Sequence, residues 1–367
     1  MAVVVPALFS ASLASLLTPP AKAPAAAADA QMAELRTLFS QESAAAARRK
    51  QEAKTAESRL AAVGAVRNFW PLPPRLQPHD IPVVTLDQTL TSDALEKLFN
   101  HECCAVHVRG FIGADTCAEI TSRLDASSED FSNWNIHASQ SEGASASTEV
   151  DKIGLVATEA LSSWDSFREY LMPSPRTSLD VLLPGGLNPF RTLFDELHAL
   201  HPDGCRSSKL GRWPLPLGTF RRMYSSRGLL HADTATLLAR AQGEFSANLY
   251  ISTPPGRGAL SVYPAMQYAA ERSEGSGAGV TSPMLLADLQ SLAKLQGAGF
   301  DADAQRRLLD ALPLQRTIDV RDGDLVLINT GRFHRVEPYG SSDVPDMRLS
   351  GQCWLSYRRG RPLTMWV

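Results

Sequence analysis

The motif His231-Ala232-Asp233 combines two side-chain types that bind divalent metals, an imidazole and a carboxylate. On an extended segment, residues two apart project to the same side, so one metal ion can contact both side chains. A His-x-Asp pair alone occurs by chance in many proteins, because most histidines are solvated or hydrogen-bonded. The pair therefore needs a third ligand before it predicts a metal site.

His334 supplies the candidate third ligand, at the end of the run 329–334. Two imidazoles and one carboxylate on one face of a metal leave coordination positions open, which is the arrangement used for iron(II) oxygen chemistry. A 2-oxo acid can chelate such a metal through its keto oxygen and a carboxylate, and one position then remains for dioxygen. His231, Asp233 and His334 are accordingly the predicted metal ligands and catalytic residues.

Arg348 is placed to bind the second carboxylate of such a 2-oxo acid. A guanidinium is a permanently charged, forked partner for a carboxylate inside a protein. Arg348, Ser350 and Gln352 share one face of a strand by the two-residue period. The Ser350 hydroxyl can therefore add a hydrogen bond to the same carboxylate.

Each of these residues also has an ordinary interpretation when it is taken alone. His334 can be a turn histidine, and Arg348 a surface cation. The ordered set, with strand context at each position, favours the metal site. Other histidines are expected to be structural: His107 as a packed core residue in an apolar strand, and His198 and His201 as residues at a helix end.

The elements that would position these residues are short strands with turn signals. Residues 245–252 alternate apolar and polar side chains, 258–263 and 348–357 are further strands, and Asp322-Gly323 predicts a hairpin between strands at 317–320 and 324–329. Helical patterns come before them, and a helical insert is expected at about 265–314. We predict a mostly β fold with α elements, a jelly-roll barrel with a helical N-terminal half.

The N-terminal part differs from the rest in composition. Residues 1–30 are apolar and rich in small residues, with no acidic residue before Asp29. This favours a targeting segment for a plastid or another organelle, with a disordered Ala/Pro tail in a cytoplasmic protein as the alternative. Residues 31–80 are expected to be a solvent-exposed helix, as a spacer or a docking arm, followed by a Pro-rich linker. Residues 81–358 are expected to be the domain, and 359–367 a C-terminal tail.

Composition excludes some classes of partner. The 367 residues are 44% hydrophobic and 20% charged with a net charge of −3, so no basic stripe for nucleic acid is expected. The N-terminal apolar run is too short to predict a stable membrane span. Five scattered cysteines without a C-x-x-C pair indicate free thiols in a reducing compartment. A small-molecule substrate is the expected partner, and oligomeric state is not encoded in any of these patterns.

The order His231-x-Asp233, His334, Arg348-x-Ser350 resembles the iron(II)/2-oxoglutarate-dependent dioxygenase superfamily, with its prolyl-hydroxylase-like branch as a candidate. The resemblance implies a double-stranded β-helix (jelly-roll) fold and the use of iron(II), 2-oxoglutarate and dioxygen. It also implies release of succinate and carbon dioxide during hydroxylation or desaturation of a small-molecule or amino-acid-like substrate. Halogenation is disfavoured, because related halogenases lack the carboxylate that Asp233 provides.

The resemblance extends over roughly residues 81–357 and includes the run 323–328 before the distal histidine. Tyr224 resembles the tyrosine that contacts the 2-oxoglutarate carboxylate in prolyl-hydroxylase-like members, and Asn248 is a second candidate for that pocket. Two other classes remain open from the residues. One is a non-catalytic barrel that keeps the metal ligands for structural reasons, and the other is a zinc hydrolase built on the same ligands.

Overall fold

The computed structural model describes residues 25–62, 81–100, 102–133, 150–226, 228, 230, 243–266, 309, 314–330, 332–340 and 347–367. Several predicted features lie outside these residues. They are the segment up to residue 24, the Pro-rich stretch after residue 62, most of the insert at 265–314, and the metal pair His231 and Asp233. The interpretation of these features stays a prediction.

The helices whose bounds the structure describes lie between residues 25 and 200, as expected for a helical N-terminal half. They are α1 Ala25–Ala62, α2 Ser92–Phe99, α3 Ala114–Ala126, α4 Ala157–Ala160, α5 Trp164–Leu171, α6 Leu179–Leu182 and α7 Pro189–Leu200. The helix α2 begins after a threonine cap, because the Thr91 side chain accepts a hydrogen bond from the backbone N–H of Ala94. Among the described residues, no helix is both long and apolar enough to cross a bilayer.

The described residues contain fifteen strands. They are β1 Val83–Asp87, β2 Ala105–Arg109, β3 Ser132–Asn133, β4 Val150–Ile153, β5 Cys205–Ser207, β6 Lys209–Leu210, β7 Trp213–Pro214, β8 Thr219–Met223, β9 Gly243–Ser252, β10 Leu260–Met266, β11 Arg316–Ile318, β12 Leu325–Asn329, β13 Arg332–Val336, β14 Arg348–Tyr357 and β15 Leu363–Trp366.

These strands form one large mixed sheet, a smaller antiparallel sheet, and a two-stranded antiparallel pair of β6 and β7. The main sheet has ten strands in the order β1-β2-β12-β9-β14-β8-β4-β3, with β15 joined to β14 and β5. In the main sheet β1 pairs with β2 and β15 with β5 in parallel, while its other pairs are antiparallel. The second sheet has three strands in the order β11-β10-β13. The fold is therefore mostly sheet with several helices, as predicted.

The main core lies between one face of the main sheet and the helices α2, α3 and α7. On β9, Phe245, Ala247, Leu249 and Ile251 are buried in this core. Tyr250, on the opposite face, packs in a separate cluster with residues of β10 and β12. The predicted alternation along β9 is confirmed, and it leaves the polar face of the main sheet directed at the second sheet.

The N-terminal helix α1 packs along one side against the rest of the protein, so the expected solvent exposure of this helix does not hold on that side. Leu35 is fully buried in a cluster with Phe167 and Trp213. Glu34 also forms an ion pair with Arg212, at 2.9 Å. Met32, Leu35 and their neighbours recur at helical spacing, so they form a narrow apolar stripe within an alanine-rich sequence. This stripe attaches the helix to the rest of the protein.

The C-terminal residues 359–367 are likewise part of the fold and not a tail. Here β15 pairs with β14, and it also pairs with β5. Leu363 and Met365 alternate along β15 and are fully buried in the main core. Their period-two spacing explains why this short segment completes an edge of the main sheet.

The Asp322-Gly323 turn does not close a hairpin, which corrects another expectation. The strand β11 before it pairs with β10 in the second sheet, whereas β12 after it pairs with β2 and β9 in the main sheet. Gly323 has φ 88° and donates its N–H to the Tyr250 carbonyl oxygen, at 2.7 Å. A Cβ at Gly323 would lie 2.2 Å from the Ile112 carbonyl oxygen. The turn therefore needs glycine to pass closely from one sheet to the other.

Candidate active site

Polar residues of β8, β9 and β14 line the face of the main sheet that is directed at the second sheet. Ser350 on β14 lies opposite Arg221 on β8 and Tyr250 on β9. One pair further along, Gln352 lies opposite Asn248. Because β14 has a neighbouring strand on each side, its backbone is fixed, and the two-residue period aligns Arg348 with Ser350.

Arg348 is a buried cation without an acidic partner in the part of the chain that the structure describes. Its side chain is 2% exposed. Nη1 donates to the Gly258 carbonyl oxygen at 3.1 Å, and Nη2 lies 3.5 Å from the Met223 Sδ. Its Cζ lies 5.5 Å from the centroid of the Tyr250 ring. A buried charge that lacks a counter-ion is costly, so this arrangement favours binding of an anion.

Ser350 adds a second polar group that lacks a partner at the same place. The residue is 1% exposed, and its Oγ has no hydrogen-bond partner among the described residues. The Nε of Arg348 has none there either. Buried polar groups are normally hydrogen-bonded, so a group without a partner needs an explanation. A carboxylate between Arg348 and Ser350 would satisfy both, so these residues fit the distal carboxylate of 2-oxoglutarate.

His334 lies on β13 of the second sheet, opposite Val262 of β10. Its Nδ1 is 2.9 Å from the carbonyl oxygen of Arg332. A carbonyl oxygen only accepts, so Nδ1 carries the proton and Nε2 of the neutral ring carries the lone pair. Metal-binding histidines are commonly oriented by such a bond, which makes Nε2 the nitrogen suited to a metal.

The other two predicted metal ligands, His231 and Asp233, are outside the described residues. Leu230, directly before them, is fully buried. Within the described ranges there is no group of three His, Cys, Asp or Glu side chains that could hold a metal. The three-ligand site therefore stays a prediction, of which the structure describes the His334 part.

The two weaker pocket candidates occupy different positions. Asn248 lies on the polar face, where its Oδ1 accepts a hydrogen bond from Arg221 Nη2 at 3.3 Å. The Tyr224 hydroxyl donates to Asp151 Oδ2 at 2.9 Å. Burial and the neighbouring Asp151 carboxylate raise the pKa of Tyr224. Neither side chain shares a hydrogen bond with Arg348 among the described residues, and their predicted contact with 2-oxoglutarate stays untested.

Tyr250 is a pocket residue that the sequence reasoning did not select. Its ring lies against the Arg348 guanidinium and is almost fully buried. Period-two alternation places Tyr250 on the polar face of β9 beside Asn248. This pattern does not show which strand is the neighbour of β9. The contact depends on the register between β9 and β14, which shifts between Leu349 and Ser350.

His107 has the structural role expected from its apolar strand. Its Nε2 lies 2.8 Å from Asp324 Oδ2, and both side chains are buried. Burial raises the pKa of the Asp324 carboxyl, but hydrogen bonds from His107 and from the backbone N–H groups of Gly110 and Arg321 outweigh burial and lower the pKa below its usual value. This pair fixes the start of β12 against β2.

Comparisons with known proteins give results only among solved structures, because no protein-family model and no curated protein matches the chain. An N-substituted L-amino acid dioxygenase from Burkholderia ambifaria is 12% identical, with a TM-score of 0.45 over 75% of this chain and 91% of that chain. An oxidoreductase of the 2OG-Fe(II) oxygenase family from Burkholderia pseudomallei is 13% identical, with a TM-score of 0.38 over 77% and 98%. A prolyl-4-hydroxylase from Pseudomonas putida is 14% identical, with a TM-score of 0.32 over 73% and 100%.

Solved structures of 2OG-Fe(II) oxygenases are therefore among those to which the chain is similar. The Burkholderia ambifaria enzyme is also known in complex with 2-oxoglutarate. At these identities and TM-scores, the similarity to 2OG-Fe(II) oxygenases does not extend to single residues or to a substrate.

Proposed function

We propose that this protein is an iron(II)- and 2-oxoglutarate-dependent oxygenase that hydroxylates or desaturates a small-molecule or amino-acid-like substrate, releasing succinate and carbon dioxide. The observation that carries the proposal is the buried Arg348 guanidinium, which has no acidic partner in the described residues and shares a strand face with the unsatisfied Ser350 hydroxyl. A dicarboxylate is the kind of ligand that such a pocket accommodates.

The connectivity of the strands supports a jelly-roll, or double-stranded β-helix, as the scaffold. The strands β9, β12 and β14 lie in the main sheet, whereas β10, β11 and β13 lie in the second sheet. The chain thus passes repeatedly from one sheet to the other, which is how a jelly roll is wound. In this arrangement Arg348 and His334 belong to opposite sheets and share the space between them.

Three described residues would hold the reactants. Arg348 and Ser350 would bind the distal carboxylate of 2-oxoglutarate, and His334, through Nε2, would bind iron(II) together with His231 and Asp233. Bound iron(II) and 2-oxoglutarate supply the chemistry that uses dioxygen to oxidise a C–H bond.

The protein's own contribution is binding, orientation and exclusion of water. The Arg332 carbonyl accepts a hydrogen bond from Nδ1 of His334, which favours the tautomer in which Nε2 would bind a metal. Leu260, Val262 and Ile328 are buried in the apolar cluster between the sheets. Apolar walls lower the local dielectric, which strengthens the attraction between Arg348 and a carboxylate.

Succinate formation in the full-length protein tests this proposal. With iron(II) and 2-oxoglutarate, the wild type is expected to bind 2-oxoglutarate anaerobically, with a weak visible charge-transfer band, and to form succinate in air. His231→Ala is expected to lose both the band and succinate formation. Normal turnover in that variant would refute the proposal. Metal binding without any use of 2-oxoglutarate would instead support a non-catalytic barrel, and hydrolysis independent of 2-oxoglutarate a zinc hydrolase.

A further inference from the structure

Arg332, on β13, is a second buried cation in the space between the sheets. It is 1% exposed, and its Nη1 donates to the carbonyl oxygen of Pro264 on β10. Its Nε has no hydrogen-bond partner among the described residues. No acidic side chain of the described ranges pairs with it. A single carbonyl does not compensate a buried guanidinium with five N–H donors.

The neighbouring side chains do not supply a negative charge. Cys103 and Cys104 are the titratable groups that act on Arg332. Burial raises the pKa of Cys103 to about 12 and also raises the pKa of Cys104. Both thiols are therefore uncharged at neutral pH, while arginine stays protonated in proteins. The guanidinium lacks a counter-ion on the described side chains around it.

Arg332 lies close to the candidate metal ligand His334, where its charge could bind an anionic substrate. Arg332 and His334 share one face of β13, with Cα atoms roughly 7 Å apart, as expected for residues two apart on a strand. Along β10, Val262 lies opposite His334, and Pro264 contacts Arg332. Gly258, which binds Arg348, lies before that strand. Along the direction of β10, the residue opposite His334 thus lies between the residues that bind the two buried cations.

We propose that Arg332 binds the carboxylate of the substrate, so that the substrate is a small carboxylic acid; this inference rests on the proposed oxygenase function. Arg348 takes the distal carboxylate of 2-oxoglutarate on one side of the metal ligand, and Arg332 takes the substrate carboxylate on the other. A forked guanidinium fixes the direction as well as the position of a carboxylate. The short distance to His334 then restricts oxidation to carbon atoms near the acid group.

Carboxylate binding to the full-length protein tests this inference after the 2-oxoglutarate site has been filled. Iron(II) and saturating 2-oxoglutarate are added anaerobically, so that probe acids cannot report binding at Arg348. The probes are N-acetyl-leucine, N-acetylproline and hexanoate, each compared with its uncharged primary amide. At least one acid is expected to shift the charge-transfer band and raise the Tm. Its amide is expected to bind roughly tenfold or more weakly, because a charge-assisted hydrogen bond is lost.

Arg332→Met is the decisive variant, and Arg335→Met is its matched control. Arg335 lies on the same strand, where it pairs with Glu337 at 2.9 Å. Arg332→Met is expected to lose the response to the acid at least tenfold, with unchanged 2-oxoglutarate binding, whereas Arg335→Met keeps both. The metal-free Arg332→Met protein is expected to unfold at a Tm equal to or above that of the wild type, because an uncompensated charge is removed.

The outcomes separate this inference from the proposed function. If the wild type fails to bind 2-oxoglutarate, the proposed function fails and this inference fails with it. If the band forms but no acid is preferred over its amide, or if Arg332→Met responds like the wild type, only the substrate inference is overturned. A large loss of Tm in Arg332→Met would also overturn it, by showing that Arg332 has a structural role.

Discussion

Replacing Arg348 with methionine should weaken 2-oxoglutarate binding without destabilising the empty protein. Methionine has a similar length and no charge, so it can fill the same space beside Met223 and Tyr250. In the wild type Arg348 is 2% exposed, and the described polar contacts of its guanidinium are the Gly258 carbonyl and the Met223 sulfur. Most of its hydration is therefore lost without compensation by protein groups.

The two opposing terms can be estimated for the empty protein. Replacing an uncompensated buried charge by an apolar side chain stabilises by about 1–4 kcal/mol. Loss of the hydrogen bond to the Gly258 carbonyl subtracts about 1 kcal/mol. The free energy of unfolding of Arg348→Met should thus be unchanged or higher by up to about 3 kcal/mol. For 2-oxoglutarate, the loss of two charge-assisted hydrogen bonds should raise the Kd roughly 100-fold or more.

Arg222→Met is the matched control for this prediction. Arg222 is a buried arginine of the adjacent strand, but its Nη2 pairs with Asp125 Oδ1 at 2.6 Å and its Cζ lies 3.9 Å from the centroid of the Phe131 ring. Removing a guanidinium that has partners should destabilise, here by about 1–3 kcal/mol because Asp125 is partly exposed. Denaturant unfolding of the metal-free proteins and anaerobic calorimetry with 2-oxoglutarate give both quantities. Equal destabilisation of the two variants, or normal 2-oxoglutarate binding by Arg348→Met, would refute the reasoning.

Three further predictions concern the scaffold. Gly323→Ala should destabilise by about 2–4 kcal/mol in denaturant unfolding, because both its φ and the space for a Cβ are unfavourable, whereas Gly110→Ala, with positive φ but open space, should cost about 1 kcal/mol. The lowered pKa of Asp324 contributes stability that is present above its unfolded value, about 4, and is lost as pH falls through the lower folded value. In unfolding measured from pH 6 down to pH 2, Asp324→Asn should therefore show a smaller acid-induced loss of stability than the wild type. Leu35→Ala should lower the free energy of unfolding by about 2–4 kcal/mol. If α1 instead detaches on its own, the helix should become more sensitive to proteolysis.

Each of these has a contradicting result. Equal costs at Gly323 and Gly110 would mean that the close approach to Ile112 is relieved by a small shift of the turn. An Asp324→Asn protein with the same acid profile as the wild type would show that the pair with His107 does not supply pH-dependent stability. Unchanged unfolding and proteolysis in Leu35→Ala would show that the α1 stripe does not attach the helix.

Local patterns in the sequence predict much of the scaffold. The strand β14 matches its predicted bounds, Arg348–Tyr357, because its alternating run is long enough to define both ends. The start of the helix α5 also has a local signal, because the Ser163 side chain accepts a hydrogen bond from the Ser166 N–H before an amphipathic run. The same periodicity places Arg348 and Ser350 on one face, where the structure finds them both buried.

Pairing between distant segments is what the sequence does not show. An Asp-Gly turn has the same local chemistry whether it joins two paired strands or passes between sheets, so the partners of β11 and β12 needed the structure. Likewise, the period of β13 puts Arg332 on the face of His334, but it does not show that its guanidinium is buried without an acid among the described residues. The contact between Tyr250 and Arg348 depends on a shifted register, which no local pattern encodes.

The central claim is that the pocket of Arg348 and Ser350 binds 2-oxoglutarate beside an iron(II) ion. The most direct test is an anaerobic titration of the iron(II)-loaded wild type with 2-oxoglutarate, followed by its visible charge-transfer band, with Arg348→Met and His231→Ala measured in parallel. The account predicts a saturable band in the wild type, a band that needs roughly 100-fold more 2-oxoglutarate in Arg348→Met, and no band in His231→Ala. A wild type without the band, or an Arg348→Met protein that titrates like the wild type, would contradict it.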